Sequence, residues 1–228
     1  MNALRVFAAL VRWDFILELR RRETVLNMTL FAVVILFLAS YALASRPELL
    51  GEVGPIVLWI SILFSGTVGL SRAFAVEREG GALHGILLSP AAPEVVYLSK
   101  VAATWLYVMV MEILTLGAYV IFFNFGYVER VPHLLAVMAS FTFAYTAAGI
   151  LLAAMTSALR TGEVLLRILL FPLMIPAIVL ALDSGRAIFP EEISPSAPTL
   201  VRSVSRIVSL GVIYVVVGCV LFPKVVEE

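Results

Sequence analysis

TVLNMTLFAVVILFLASYALA, residues 24–44, contains no charged side chain. At 1.5 Å per residue, a helix of this length crosses the ~30 Å hydrocarbon core of a bilayer. Hydrocarbon offers no partner to a backbone N–H or C=O, so a spanning segment must satisfy those groups within itself. A helix does so. A barrel strand would alternate apolar and polar residues, and this run does not. The stretch therefore reads as a transmembrane helix, and it sets the solvent for the rest of the chain.

Five more segments meet the same test: Val53–Ser71, Val101–Phe123, Val131–Leu159, Val164–Leu182 and Ile207–Pro223. The expected fold is an all-α integral membrane protein with six transmembrane helices, forming one transmembrane unit over residues 1–228. Composition agrees. Of the 228 residues, 62% are hydrophobic and 14% charged, against roughly 45–50% and about 25% in soluble domains. Mean hydropathy is +1.06. The formal net charge is zero, which by itself says nothing about polyanions; no nucleic-acid partner is expected of a chain whose solvent is the bilayer. The single cysteine, Cys219, leaves no disulfide within the chain. Asp14 and Glu18 sit among the N-terminal arginines, and no small-residue cleavage site follows the first apolar run, so no cleaved signal peptide is expected.

Six spans place both termini on one side, and basic residues choose the side. Eleven of the sixteen Lys and Arg residues fall on the side of the termini: Arg5, Arg12, Arg20, Arg21, Arg22, Arg72, Arg78, Lys100, Arg160, Arg167 and Lys224. Arg46, Arg130, Arg186, Arg202 and Arg206 fall on the other. Both termini are thus expected in the cytoplasm. Residues 1–22 precede the first span. Leu4, Phe7, Val11 and Phe15 share one helical face and Arg5 and Arg12 another, while Asp14 and Glu18 intrude on the apolar edge. This pattern predicts a helix lying along the cytoplasmic interface. The alternative is a water-exposed extension of the first span. Across the membrane, Asp183–Arg206 holds Pro190, Pro195 and Pro198 and is moderately apolar. Short re-entrant helices, packed against protein, are expected there.

The connection between spans two and three is unlike a linker. It reads FAVEREGGALHGILLSP from Phe74 to Pro90. Glu77, Arg78 and Glu79 come first. Gly80 and Gly81 break the preceding helix, and Pro90 and Pro93 bound a short helix carrying Leu83, Ile86, Leu87 and Leu88. An apolar helix on the cytoplasmic face needs a cover. Spacing alone leaves two: the lipid interface, or a groove on a partner.

The arrangement resembles the coupling helix of ABC-2-type exporter permeases, which docks into a cytoplasmic ATPase subunit. More narrowly, the chain resembles the CcmB family, the membrane subunit of the heme exporter of cytochrome c maturation. The resemblance rests on Arg72-Ala-Phe74, on Gly81-Ala-Leu-His-Gly-Ile-Leu-Leu-Ser-Pro90, and on Lys100 opening span three. It rests also on Leu159 to Pro176, with paired Pro172 and Pro176, and on the six-span layout. The resemblance implies that Glu77, Arg78, Gly81, Leu83, His84, Ile86, Leu87, Leu88 and Pro90, within a coupling segment at 77–93, contact the ATPase. His84 stands where the family pattern has an acidic residue, so a carboxylate-to-base pairing is replaced by hydrogen bonding or, on protonation, repulsion. The resemblance further implies a second copy of the chain, a CcmA-like ATPase that binds ATP, a CcmC-like heme-handling membrane protein and a CcmE-like heme chaperone. It places the chain in the bacterial inner membrane. Heme is then the substrate, and no cofactor is bound covalently.

Other residues stand out on their own. Glu112 lies in the middle of span three, where an ionisable side chain is costly. It reads either as a polar point on a substrate path or subunit contact, or as an acid bonded to a neighbouring Ser or Thr. Pro172 and Pro176 each remove a backbone hydrogen bond and favour a bend in span five. Arg167 enters that span and can snorkel. His133 opens span four on the outer side with no second ligand beside it. No Cys/His cluster has metal-site spacing, and no P-loop signature occurs, so ATP would be bound by another subunit. Two readings compete with the heme exporter: an ABC-2-type permease for a lipid, drug or polysaccharide, and a non-transporting membrane scaffold. An intramembrane enzyme would need convergent polar groups that the sequence does not supply.

Overall fold

The computed structural model describes residues 3–73, 92–124, 128–157, 159, 161–188 and 197–227. These residues form seven α-helices, two short 3-10 helices and no strand. They are α1 (Ala3–Arg21), α2 (Glu23–Ala42), α3 (Leu50–Arg72), α4 (Pro93–Phe122), α5 (Val131–Ser157), α6 (Gly162–Ile188) and α7 (Ala197–Glu227). All but α1 are long and apolar enough to cross a membrane. The protein is a multi-pass membrane protein.

Several helices run past their apolar windows. The helix that carries span three begins at Pro93, ahead of the apolar run from Val101, so Lys100 lies two turns inside α4. Pro93 is preorganised for a first helical turn, and Glu94 beside it complements the positive end of the helix. Capping residues, and not the onset of apolarity, set that boundary. The segment 183–206, read as re-entrant, is shared between two helices at its ends. Residues 183–188 complete α6 and 197–206 begin α7; residues 189–196 lie outside the described residues. Pro172 and Pro176 both sit within α6, on its exposed side, and the helix continues through them.

Between α1 and α2 the chain turns at one residue. Arg22 adopts a left-handed conformation (φ 48°), which costs a non-glycine residue about 1–2 kcal/mol. The first helix is therefore a separate element and not an extension of the first span.

The core is built around α5, 78% of whose apolar window is buried, against 17% for α7. Trp59 of α3 packs on Phe141 of α5 with ring centroids 5.1 Å apart, and Phe141 stacks on Tyr145. Lipid tails are as apolar as leucine, so burial alone cannot hold such helices together; close packing and interhelical hydrogen bonds must. Aromatic donors provide several. Tyr97 Oη donates to the Ala147 carbonyl at 2.8 Å and Trp105 Nε1 to the Ala139 carbonyl at 2.9 Å, both joining α4 to α5. Tyr145 Oη reaches the Leu63 carbonyl at 3.2 Å and Tyr107 Oη the Gly69 carbonyl at 3.1 Å, tying both helices to α3. Close approach needs a small residue at Gly218 of α7. A Cβ there would overlap the ring and hydroxyl of Tyr97.

The contacts also order the ends. Tyr97, early in α4, packs on Phe222, late in α7, at 5.5 Å. Ser40, near the end of α2, donates to the Phe122 carbonyl at the end of α4 (2.8 Å). The start of α4 thus shares one end of the bundle with the C-terminal part of α7, and the end of α2 marks the opposite one.

Candidate functional site

The coupling residues expected from the sequence, Glu77, Arg78, Gly81, Leu83, His84, Ile86, Leu87, Leu88 and Pro90, lie outside the described residues. What the structure places is the base from which they depart. The second span ends at Arg72, and Ala73 closes its last turn with an N–H bonded to the Leu70 carbonyl at 3.1 Å. The chain returns at Ala92, whose extended backbone precedes Pro93. Lys100 joins the two ends. Its Nζ lies 3.4 Å from the Ala73 carbonyl and 3.1 Å from Asp14 Oδ2. One ammonium therefore links α1, the end of α3 and the start of α4.

This tie is nearly dry. The Lys100 side chain is 8% exposed and that of Asp14 18%. With Glu18, Arg72, Thr104 and Tyr107 they line a cavity of about 40 Å³. Periodicity along α1 makes Asp14 and Glu18 look like flaws on an apolar edge. They are in fact the docking side: Asp14 meets Lys100, and Glu18, whose Oε1 is buried, lines the same cavity. The signal missed was the complementary lysine, placed by the sequence at a span boundary and by the structure inside the helix.

Glu112 is fully buried. The Thr142 hydroxyl of α5 donates to its Oε1. Oε2 has no hydrogen-bond partner among the described residues. The acid is thus enclosed by its own chain. It acts as a tie between α4 and α5. Interhelical hydrogen bonds within membranes contribute about 0.6 kcal/mol on average, with a maximum near 1.7. Glu112→Gln keeps an acceptor and is expected to melt within a degree or so of wild type in detergent. Glu112→Leu removes it and is expected to lower stability by about 1 kcal/mol, read as a reduced Tm. Equal melting of both variants and wild type would show that the bond contributes nothing.

A second feature was not legible in the sequence. An apolar groove of about 630 Å³ opens on the side of the bundle, lined by Phe7, Leu98, Trp105, Ala139, Phe143 and Val215 among others. Its residues come from four helices, so no local pattern announces it. Volumes of a few hundred Å³ or more suit small-molecule ligands. Ser140 supplies a hydroxyl, already bonded to the Ala136 carbonyl at 2.7 Å. No metal-ligating side chain lines it. Among the described residues no group of three or more His, Cys, Asp or Glu is placed to hold a metal ion. Arg167 pairs with Glu163 one turn earlier in α6 at 3.8 Å; both are exposed, so the pair contributes little.

Comparison with known proteins adds to this geometry. A family model described as "CcmB protein" matches residues 5–223. A heme exporter protein B of Bradyrhizobium diazoefficiens is 28% identical over 207 residues, covering 91% of this chain and 93% of that protein. The protein of the same name from Pseudomonas aeruginosa is 27% identical over 175 residues, covering 77% of this chain and 78% of its own length. That of Haemophilus influenzae is 25% identical over 176 residues, with 77% and 79% covered.

Proposed function

This chain belongs to the CcmB family, and on that premise we propose that it is the membrane permease subunit of a heme exporter serving c-type cytochrome biogenesis. The observation that carries the reading is the match across residues 5–223, in a chain whose described helices include six able to span a membrane. Relatives named heme exporter protein B support the substrate class.

The work divides between subunits. The chain has no P-loop, so ATP is hydrolysed by a CcmA-like partner. Residues 77–93 dock that partner, with Leu83, Ile86, Leu87 and Leu88 as the apolar element and Glu77 and Arg78 at its rim. Lys100 then acts as a positioning residue at the base of the segment. It holds both ends of the connection against α1, so that movement at the ATPase is passed to three helices together. Pro172 and Pro176 weaken the hydrogen-bond ladder of α6 and favour bending there. The remaining partners are a second copy, a CcmC-like membrane protein and a CcmE-like chaperone. The apolar groove offers a surface for a flat apolar substrate but no axial ligand to iron, which suits transit better than storage.

Purification of the tagged chain in mild detergent from its host tests this reading. The ATPase subunit and the heme-handling partners should co-purify. Recovery of the chain without any ATPase would point to a scaffold instead. Orientation is a separate expected result. Reporters fused to either terminus should read cytoplasmic, and a tag at residue 190 should be reached from outside. Labelling of a tag near Gly85 from outside intact cells would remove the coupling reading.

A further inference from the structure

The first helix has a face that its docking leaves open, and that face carries cations only. Phe7, Leu10 and Phe15 pack inward, and both acids, Asp14 and Glu18, turn toward the Lys100 cavity. Arg5, Arg12 and Arg20 remain exposed. None of the three forms an ion pair among the described residues. Arg5 and Arg12 are one heptad apart and lie within about 20° of each other around the helix. Arg20 is about 80° further round, and exposed Ala8, Ala9 and Ile16 fill the same face. At its edges stand Leu4, 81% exposed, and Trp13, 66% exposed. Arg22, at the turn that follows, is exposed as well, and Glu23, the nearest exposed acid in sequence, belongs to α2.

The sequence shows a helix of mixed charge. The structure sorts that charge, withdrawing the anions to one side and leaving arginines with apolar and indole groups on the other. We propose that this open face binds the anionic phospholipid headgroups of the adjoining leaflet, with Arg5, Arg12 and Arg20 on the phosphates and Trp13, Ile16 and Leu4 seated at the headgroup–acyl boundary. Charge complementarity selects this occupant. A zwitterionic surface gives the arginines no net attraction, whereas an anionic one attracts each of them over a Debye length. Exposed tryptophan belongs at the same depth. The Asp14–Lys100 tie would then connect lipid composition to the base of the 74–92 connection. The surface is independent of which substrate the chain carries.

The test uses the full chain in nanodiscs, with Ala9→Cys and Cys219→Ala providing one labelling position on the open face. A fluorophore there is quenched by phosphatidylglycerol or by phosphatidylcholine carrying a shallow nitroxide, each at the same mole fraction in a phosphatidylcholine background. Quenching by the labelled phosphatidylglycerol should be favoured by about fivefold, the factor that one arginine contributes at an anionic surface. The preference should vanish in Arg5→Gln/Arg12→Gln/Arg20→Gln and at 1 M salt, where the Debye length falls to about 3 Å. It should survive in the corresponding triple Lys variant, which keeps the charge. Equal quenching by the two lipids in the wild-type chain would overturn the proposal. So would a preference that persists without the arginines. Loss of all lipid quenching when the chain is assembled with its co-purified ATPase would overturn it too, by showing that the face is a protein contact.

Discussion

Leu87→Asp is expected to release the ATPase subunit while leaving the chain inserted and folded. In the proposed docking, the leucines and isoleucine of residues 83–88 leave water for a groove on the partner. Each fully buried side chain of this kind contributes roughly 1.5–3 kcal/mol. Aspartate forfeits that gain and adds the cost of desolvating a charge. A loss of about 3 kcal/mol or more weakens association by over a hundredfold. Arg78→Ala removes only a rim charge, about 0–1 kcal/mol, or at most about fivefold. Pull-down from mild detergent with the co-expressed ATPase, and ATP hydrolysis stimulated by the permease, separate the two. Wild-type recovery of the ATPase by Leu87→Asp would assign the apolar run to the lipid interface.

Lys100→Met is the second large effect, and it acts through stability and coupling at once. Removing one member of a buried ion pair typically costs about 3–5 kcal/mol, because the other charge is stranded. Asp14 keeps 18% of its side-chain surface in contact with solvent, so the low end, about 3 kcal/mol, applies. A fall in Tm of several degrees in detergent is the expected reading. Lys100→Met with Asp14→Leu removes both charges and should restore most of the stability, since an apolar pair of similar volume often replaces a buried ion pair without loss. Stimulated ATP hydrolysis should stay low in both variants, because neither holds the Ala73 end of the connection. A double variant as unstable as the single one would show that the pair is not what Lys100 contributes.

These two residues mark the boundary of what the sequence made legible. Leu87 belongs to an apolar run between breakers, a local pattern that reading along the chain detects, as it detects the uncharged run at 24–44. Helix number, order and the common side of the termini follow from the same local signals, since bilayer thickness constrains each span separately. Asp14 and Lys100 are far apart in sequence, and nothing nearby marks either as the partner of the other. The Glu112 bond to Thr142 was expected only as one of two options, because the residue across the interface is set by helix packing. The lateral groove depends on Phe7, Trp105, Phe143 and Val215 converging from four helices, and no one-dimensional period records that. Helix ends are hidden for a different reason. Apolarity reports where hydrocarbon begins, whereas Pro93 and Glu94 start the helix two turns earlier.

The central claim is that this membrane subunit serves heme delivery to c-type cytochromes. It is tested most directly by deleting its gene and staining the host's proteins for covalently bound heme. Heme-stained c-type cytochromes should disappear on deletion and return with the wild-type chain, but not with Leu87→Asp. Normal c-type cytochromes in the deleted strain would contradict it.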